Sequence, residues 1–198
     1  MRTNADRVLE QVARLGILRP RDLDASVPRV TLTRLVERGL LERLGRGLYR
    51  LPEAKVTEHH ALVEVCKRAP RAVVCLLSAL RFHDLTTQDP FEVWLAIDVK
   101  AFPPHVDHPP LRIVRFSGDA LSFGVQEHKV EGAMIRVTSP AKTVADCFKF
   151  RNKIGLDVAI EALREYRRKR LPIDEVSKAA KVCRVSRVMR PYLEATVA

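Results

Sequence analysis

The sequence predicts an α+β protein in two parts: a small helical module closed by a β-hairpin, then a mixed α/β domain that ends in several helices. Three observations carry this. The apolar period is helical three times within the first 38 residues and then falls to two in LLERLGRGLYRL; five apolar segments of strand length follow between residues 72 and 138; from Pro140 the helical period returns. At 198 residues and 46% hydrophobic content, the chain has enough apolar material to bury its own core.

Taken in order, Ala5, Val8, Leu9, Val12 and Ala13 share one helical face, with Thr3 or Asn4 as N-cap and Gly16 past the last turn. RPRDLDAS places Pro20 at the start of a second, short helix with Leu23 as its buried contact. Ser26 and Pro28 open a third, in which Leu32, Leu35 and Val36 face inward and Gly39 takes the C-terminal left-handed position. LLERL and LYRL then form a hairpin around Gly45 and Gly47, and Pro52 ends it. Three small helices followed by a hairpin are the order of a winged helix-turn-helix. Residues 1–52 are therefore expected as one domain and residues 53–198 as a second, entered through a linking helix at about 57–69 capped by Thr57.

In the second domain, AVVCLL, FEVWLAIDV, LRIVRF, FGVQEHKV and GAMIRVT read as strands, with SALRFHDL as a helix after the first. The prolines at 103, 104, 109 and 110 mark an exposed loop. PAKTVADCFKFRN, LDVAIEALREYRRKR, IDEVSKAAKVC and SRVMRPYLEA read as helices. No internal repeat or low-complexity segment is present.

The net charge of +11 is unevenly placed: residues 1–52 carry +5 with arginine as the only base, residues 53–145 are neutral, and residues 146–198 carry +6. Two basic ends around a neutral middle suit a polyanion met by the ends, since clustered basic charge supplies the sequence-independent part of nucleic-acid affinity. The plainer alternative is solvated surface charge. No apolar run reaches about 18 residues, and MRTNADRV lacks a signal-peptide core, so a soluble, cytoplasmic protein without a membrane partner is expected. Cys66, Cys75, Cys147 and Cys183 stand singly, which fits neither a disulfide framework nor a zinc ribbon.

With Leu32, Leu35 and Val36 inward on the third helix, Val30, Thr33, Arg34, Glu37 and Arg38 point outward and Arg29 and Thr31 lie on the shoulders. A major groove admits one helix; arginine suits guanine O6/N7, and the Thr methyl or an outward valine suits the thymine methyl. Arg46, between two glycines at the hairpin tip, is placed to enter a minor groove or grip phosphate, and Arg43 and Arg50 are placed for phosphates. Glu37 and Glu42 oppose uniform phosphate contact.

The run GILRPRDLDASVPRVTLTRLVERGLLERLGRGLYRL resembles the winged-helix domain of the AbiEi family of antitoxins. LLSALRFHDLTTQDPFEVWLAI, IRVTSPAKTVADCFKFRNKIGLDVAIEAL and VMRPYLEA are similar to that family's C-terminal antitoxin domain. The resemblance implies a transcriptional autorepressor that binds double-stranded DNA at inverted repeats upstream of its own operon, within a bacterial abortive-infection toxin-antitoxin system. It also implies an antitoxin that counteracts a nucleotidyltransferase-like toxin, with direct contact left open. Carried over are Arg29, Thr31, Thr33, Arg34 and Arg38 on the helix and Arg46 on the hairpin. For the second domain only a basic patch is offered: Lys142, Lys149, Arg151, Lys153, Arg167, Arg168, Lys169 and Arg170. YRRKR equally fits a solvated helix end favoured by the helix dipole.

Other classes compete. Asp98-x-Lys100 at a strand end, with Glu92 and Asp89 upstream, resembles a Mg-dependent nuclease site, but no second carboxylate is convincingly placed. Ser78, His83 and Asp84 are triad types on one helix without a nucleophile elbow. His59-His60 and His105-x-x-His108 do not follow zinc spacings, so neither a metal nor another cofactor is expected, and no catalysis. A pure protein-interaction module is the third class, set apart from DNA binding by its weaker salt dependence.

Overall fold

The computed structural model describes residues 3–195. The chain divides into two compact units, Met1–Arg68 with Lys129–Ile135, and Ala69–His128 with Arg136–Ala198.

In the first unit, helix α1 spans Asn4–Leu15. Thr3 is its N-cap, accepting from the Asp6 amide at 3.2 Å while the Asp6 carboxylate accepts from the Thr3 amide at 2.9 Å, a reciprocal capping box. A single 3-10 turn at Pro20–Asp22 stands where a short second helix is expected. Helix α2, Val30–Glu37, begins after Pro28 with no side-chain cap, and Ser26 lies in a turn before it, its amide donating to Asp24 Oδ1 at 2.8 Å. Strands β1 (Glu42–Gly45) and β2 (Leu48–Arg50) form the hairpin, pairing Glu42 with Arg50 and Gly45 with Leu48 across an irregularity after Arg43. Leu18 adds an antiparallel bridge to Tyr49, with amide-to-carbonyl distances of 2.8 and 3.0 Å. Val8, Val12, Leu18, Val27, Leu32, Leu35 and Leu41 form the core between α1, α2 and the hairpin. Helix α3, His60–Arg68, also belongs to this unit, which therefore takes in more of the chain than residues 1–52.

The rest of the chain forms a five-stranded sheet and a helical layer. Strands β3 (Val73–Val74), β4 (Val93–Asp98), β5 (Leu111–Phe116), β6 (Val125–Val130) and β7 (Ala133–Thr138) lie in the order β5-β4-β3-β7-β6, with β3 antiparallel to β4 and parallel to β7. The strand expected over AVVCLL is only two residues long. The Cys75 amide donates to the Trp94 carbonyl, and the chain then turns at Leu76, φ +48°, into helix α4 (Leu76–Phe82), whose Leu76, Ala79 and Leu80 are buried. A four-residue helix α5, Asp119–Ser122, was not foreshadowed by the apolar pattern. Helices α6 (Pro140–Lys149), α7 (Arg151–Ile154), α8 (Leu156–Arg168), α9 (Ile173–Val182) and α10 (Ser186–Ala195) occupy the expected segments, the first divided into two. Helix α6 lies at the centre of this layer, burying Val144, Ala145, Cys147 and Phe148 among Val158, Ala162, Val176 and Ala179.

Candidate nucleic-acid interface

The inward face of α2 is fixed by Leu32 and Leu35, 2% and 1% exposed, so its opposite side is left to solvent. There Val30 is 50% exposed, and Arg29, Thr33, Arg34, Glu37 and Arg38 are exposed with it; Thr31 is half-buried on the shoulder. A cleft between the start of α1 and α2 is lined by Pro28, Val30, Thr31, Arg34, Glu37 and Arg38. Among the described residues no side-chain hydrogen bond or ion pair engages Arg29, Arg34 or Arg38. The same side of one helix thus offers a branched apolar group, a hydroxyl and guanidinium donors, the complement of a thymine methyl beside a guanine edge.

The three arginines of the hairpin differ from one another. Gly47, φ +69°, turns the chain directly after Arg46 and leaves that side chain exposed at the tip. Arg43 is exposed, with Nε donating to the Gly45 carbonyl at 3.3 Å. Arg50 is half-buried and donates to Glu42 Oε2 at 2.8 Å, opposite it in register, so its charge is largely neutralised within the hairpin. Sequence reading ranks Arg43 and Arg50 together; the pairing separates them.

The eight bases named for the second domain are not one patch. Lys142 is a correction: it is 0% exposed, and its Nζ donates to both carboxylate oxygens of Asp146 at 2.6 Å and lies 4.7 Å from the centre of the Phe116 ring. Burial raises the Asp146 carboxyl above its ordinary value against the lowering pull of Lys142, and the Cys183 thiol donates to it at 3.2 Å. Lys149 and Lys153 are exposed, and Arg151 donates to the Phe148 carbonyl at 2.9 Å. Arg168 pairs with Glu165, and Lys169 donates to the His83 carbonyl at 2.8 Å and stands 3.5 Å from Asp84. Arg167 is half-buried and engaged, and Arg170, φ +55°, is exposed.

The rival chemistries lose their geometry. Glu92 precedes β4 and pairs with Arg112 at 2.8 Å, whereas Asp98 ends the strand and accepts from the Lys100 amide at 2.8 Å. Six residues of extended chain separate those carboxylates by about 20 Å, too far to share one cation. Asp89 is exposed, 3.8 Å from Arg81. Ser78 Oγ accepts from the Trp94 amide at 2.9 Å, tying α4 to β4, while His83 Nε2 lies 2.7 Å from the Thr138 carbonyl and is held down to about 4 chiefly by burial. His60 sits between Glu131 and Glu64, and His105 beside Asp107. Among the described residues no group of three His, Cys, Asp or Glu side chains could hold a metal ion. The four cysteines are buried and form no disulfide, and burial pushes the Cys183 thiol up to about 12. No helix among the described residues is long and apolar enough to cross a membrane.

Sequence reading also missed Glu131, whose carboxylate reaches the start of α3; the adjacent Gly132 was the only local signal, a turn marker without a partner.

Residues 6–52, from the first turns of α1 to the end of the hairpin, match the model of a family described as transcriptional regulator, AbiEi antitoxin. Over these residues the resemblance drawn from the sequence is borne out, and it covers the whole of α2 and both hairpin strands. No curated protein matches the chain.

Proposed function

We propose that this protein is an autorepressor and antitoxin. Its residues 1–52 act as a winged helix-turn-helix, placing α2 in the major groove and the hairpin, as the wing, on the adjacent backbone or minor groove. The observation that carries the reading is the outward face of α2: Val30, Thr33, Arg34 and Arg38 stand exposed, their side chains engaged by no hydrogen bond or ion pair among the described residues, inside the segment that matches an antitoxin transcriptional regulator. An exposed valine between arginines contributes nothing to the core but fits a base edge. On this reading Arg34 reads a base, Arg29, Arg38 and Arg43 hold phosphates, and Arg46 enters the groove beside them. Inverted repeats upstream of its own operon are the target, filled by two copies. The second domain counteracts a nucleotidyltransferase-like toxin, and the chain performs no catalysis of its own in the cytoplasm.

A reporter driven by the DNA upstream of the gene tests both roles in one cell when the neighbouring reading frame is expressed as the toxin. Wild type represses the reporter and restores growth; V30A/R34A restores growth but no longer represses. Repression retained by that variant would remove α2 from the interface, and failure of wild type to restore growth would remove the antitoxin role.

A further inference from the structure

The first unit is discontinuous, because Lys129–Ile135, the end of β6, the turn at Glu131 and Gly132 and the start of β7, belongs to it. Its attachment is specific. Glu131 accepts from the Thr57 amide at 2.6 Å and the Thr57 hydroxyl at 2.8 Å, and His60 Nδ1 donates to its other oxygen at 2.6 Å. A carboxylate, 7% exposed, thus sits at the start of α3, where the helix dipole favours it. Burial opposes its ionisation, but the bonds from His60 and Thr57 hold the carboxyl below its ordinary value.

The backbone is equally committed. Gly16, φ +68°, closes α1, and a Cβ there would lie 1.5 Å from the Glu131 carbonyl oxygen; a Cβ on Gly132, φ +80°, would lie 2.8 Å from the Gly16 nitrogen. Two glycines, more than a hundred residues apart in the sequence, are required by one contact. Ala133 and Ile135 of this segment are buried, but its tip, Glu131 and Gly132, is half-buried beside a cavity of about 310 Å³ lined by Val12, Ile17, Leu51 and Lys55 among others.

From these contacts we propose that residues 129–135 are a latch on the DNA-reading unit. The turn holds the end of α1 and the start of α3, and α1 in turn packs on α2 through Val8, Val12, Leu32 and Leu35. Its tip, Glu131 and Gly132, is held by one carboxylate and a glycine-on-glycine contact beside the cavity, while Ala133 and Ile135 behind it are buried, so the tip is the joint that opens before the core does. Whatever displaces the β6–β7 hairpin loosens α1 and α3 directly. The latch stands on its own geometry; its effect on DNA rests on the function proposed above.

Hydrogen exchange of the full chain, with binding to upstream DNA measured in parallel, tests the latch in Glu131→Ala and Glu131→Gln, with Glu127→Ala at an exposed position of β6 as control. Both Glu131 variants speed exchange in residues 12–18 and 57–64 by about tenfold or more, leave residues 140–168 unchanged, and weaken DNA binding several-fold; the control changes none of these. Unchanged exchange in both segments overturns the latch, whether or not the protein binds DNA. Faster exchange with unaltered DNA affinity overturns its coupling to α2. Should Glu131→Ala not fold, the milder Glu131→Gln still decides.

Discussion

Replacing Lys142 by Met tests whether the buried pair on α6 governs the second unit. Lys142 and Asp146 are 0% and 1% exposed, and both short Lys142 bonds end on the one carboxylate. Met preserves most of the side-chain volume but leaves Asp146 with the Cys183 thiol, a weak donor. Breaking a buried pair from one side costs about 3–5 kcal/mol, because the remaining charge is neither solvated nor matched. The double change K142M/D146L removes both charges and returns stability to within about 1–2 kcal/mol of wild type, or above it. The pH dependence has a definite sign. Burial already raises the Asp146 carboxyl in the folded state, and loss of the cation raises it further, so the folded variant binds its proton before the unfolded chain does. The deficit of K142M therefore shrinks as the pH falls towards the unfolded carboxyl value near 4. Urea unfolding of wild type, single and double variants at pH 7 and pH 5 measures each term. A K142M cost below about 1 kcal/mol at pH 7, or a double variant no better than the single, would refute the reasoning.

Three further outcomes are expected. His83, held down to about 4 from 6.5 mainly by burial, is neutral when folded at pH 5, whereas the unfolded chain is protonated; stability falls by up to about 3 kcal/mol as the pH drops from 6.5 to 4, and a stability-versus-pH curve unchanged in His83→Gln would contradict this. Arg34→Ala costs about 1–3 kcal/mol of operator affinity and relaxes preference at one base pair, while Arg46→Ala weakens all sequences more evenly and lowers the salt slope by about 1; binding titrations on single-base operator variants separate the two patterns. Arg50→Ala weakens DNA binding less than Arg43→Ala, because Glu42 already neutralises Arg50, and the reverse ranking would show that this pair opens on DNA.

Local signals were legible in the sequence and non-local ones were not. Thr3 and Gly16 bracket α1, and the alternation around Gly45 and Gly47 marks the hairpin, since caps and turns are written within a few residues. The outward face of α2 follows from helical periodicity once Leu32 and Leu35 are inward. Register is different in kind: that Arg50 meets Glu42, and that Leu18 bridges to Tyr49, depends on the irregularity after Arg43 and on a chain reversal no composition encodes. Lys142 looks like a surface lysine until its neighbours are placed; the clue, an Asp four residues on in an apolar helix, is equally common on solvated faces. Glu131 lies 74 residues from Thr57 and carried no local mark of what it binds.

The central claim is that α2 and the hairpin read the protein's own upstream DNA, and binding of that DNA against a scrambled duplex of equal length, at 50 and 200 mM salt, tests it most directly. With Arg29, Arg38 and Arg43 on phosphates and Arg46 in the groove each displacing about one counterion, each copy has a salt slope of about −3.6, so the upstream sequence is bound preferentially and roughly 100-fold more weakly at the higher salt. Equal binding of the two duplexes, or affinity that does not respond to salt, would contradict the account and leave the exposed face of α2 to a protein partner.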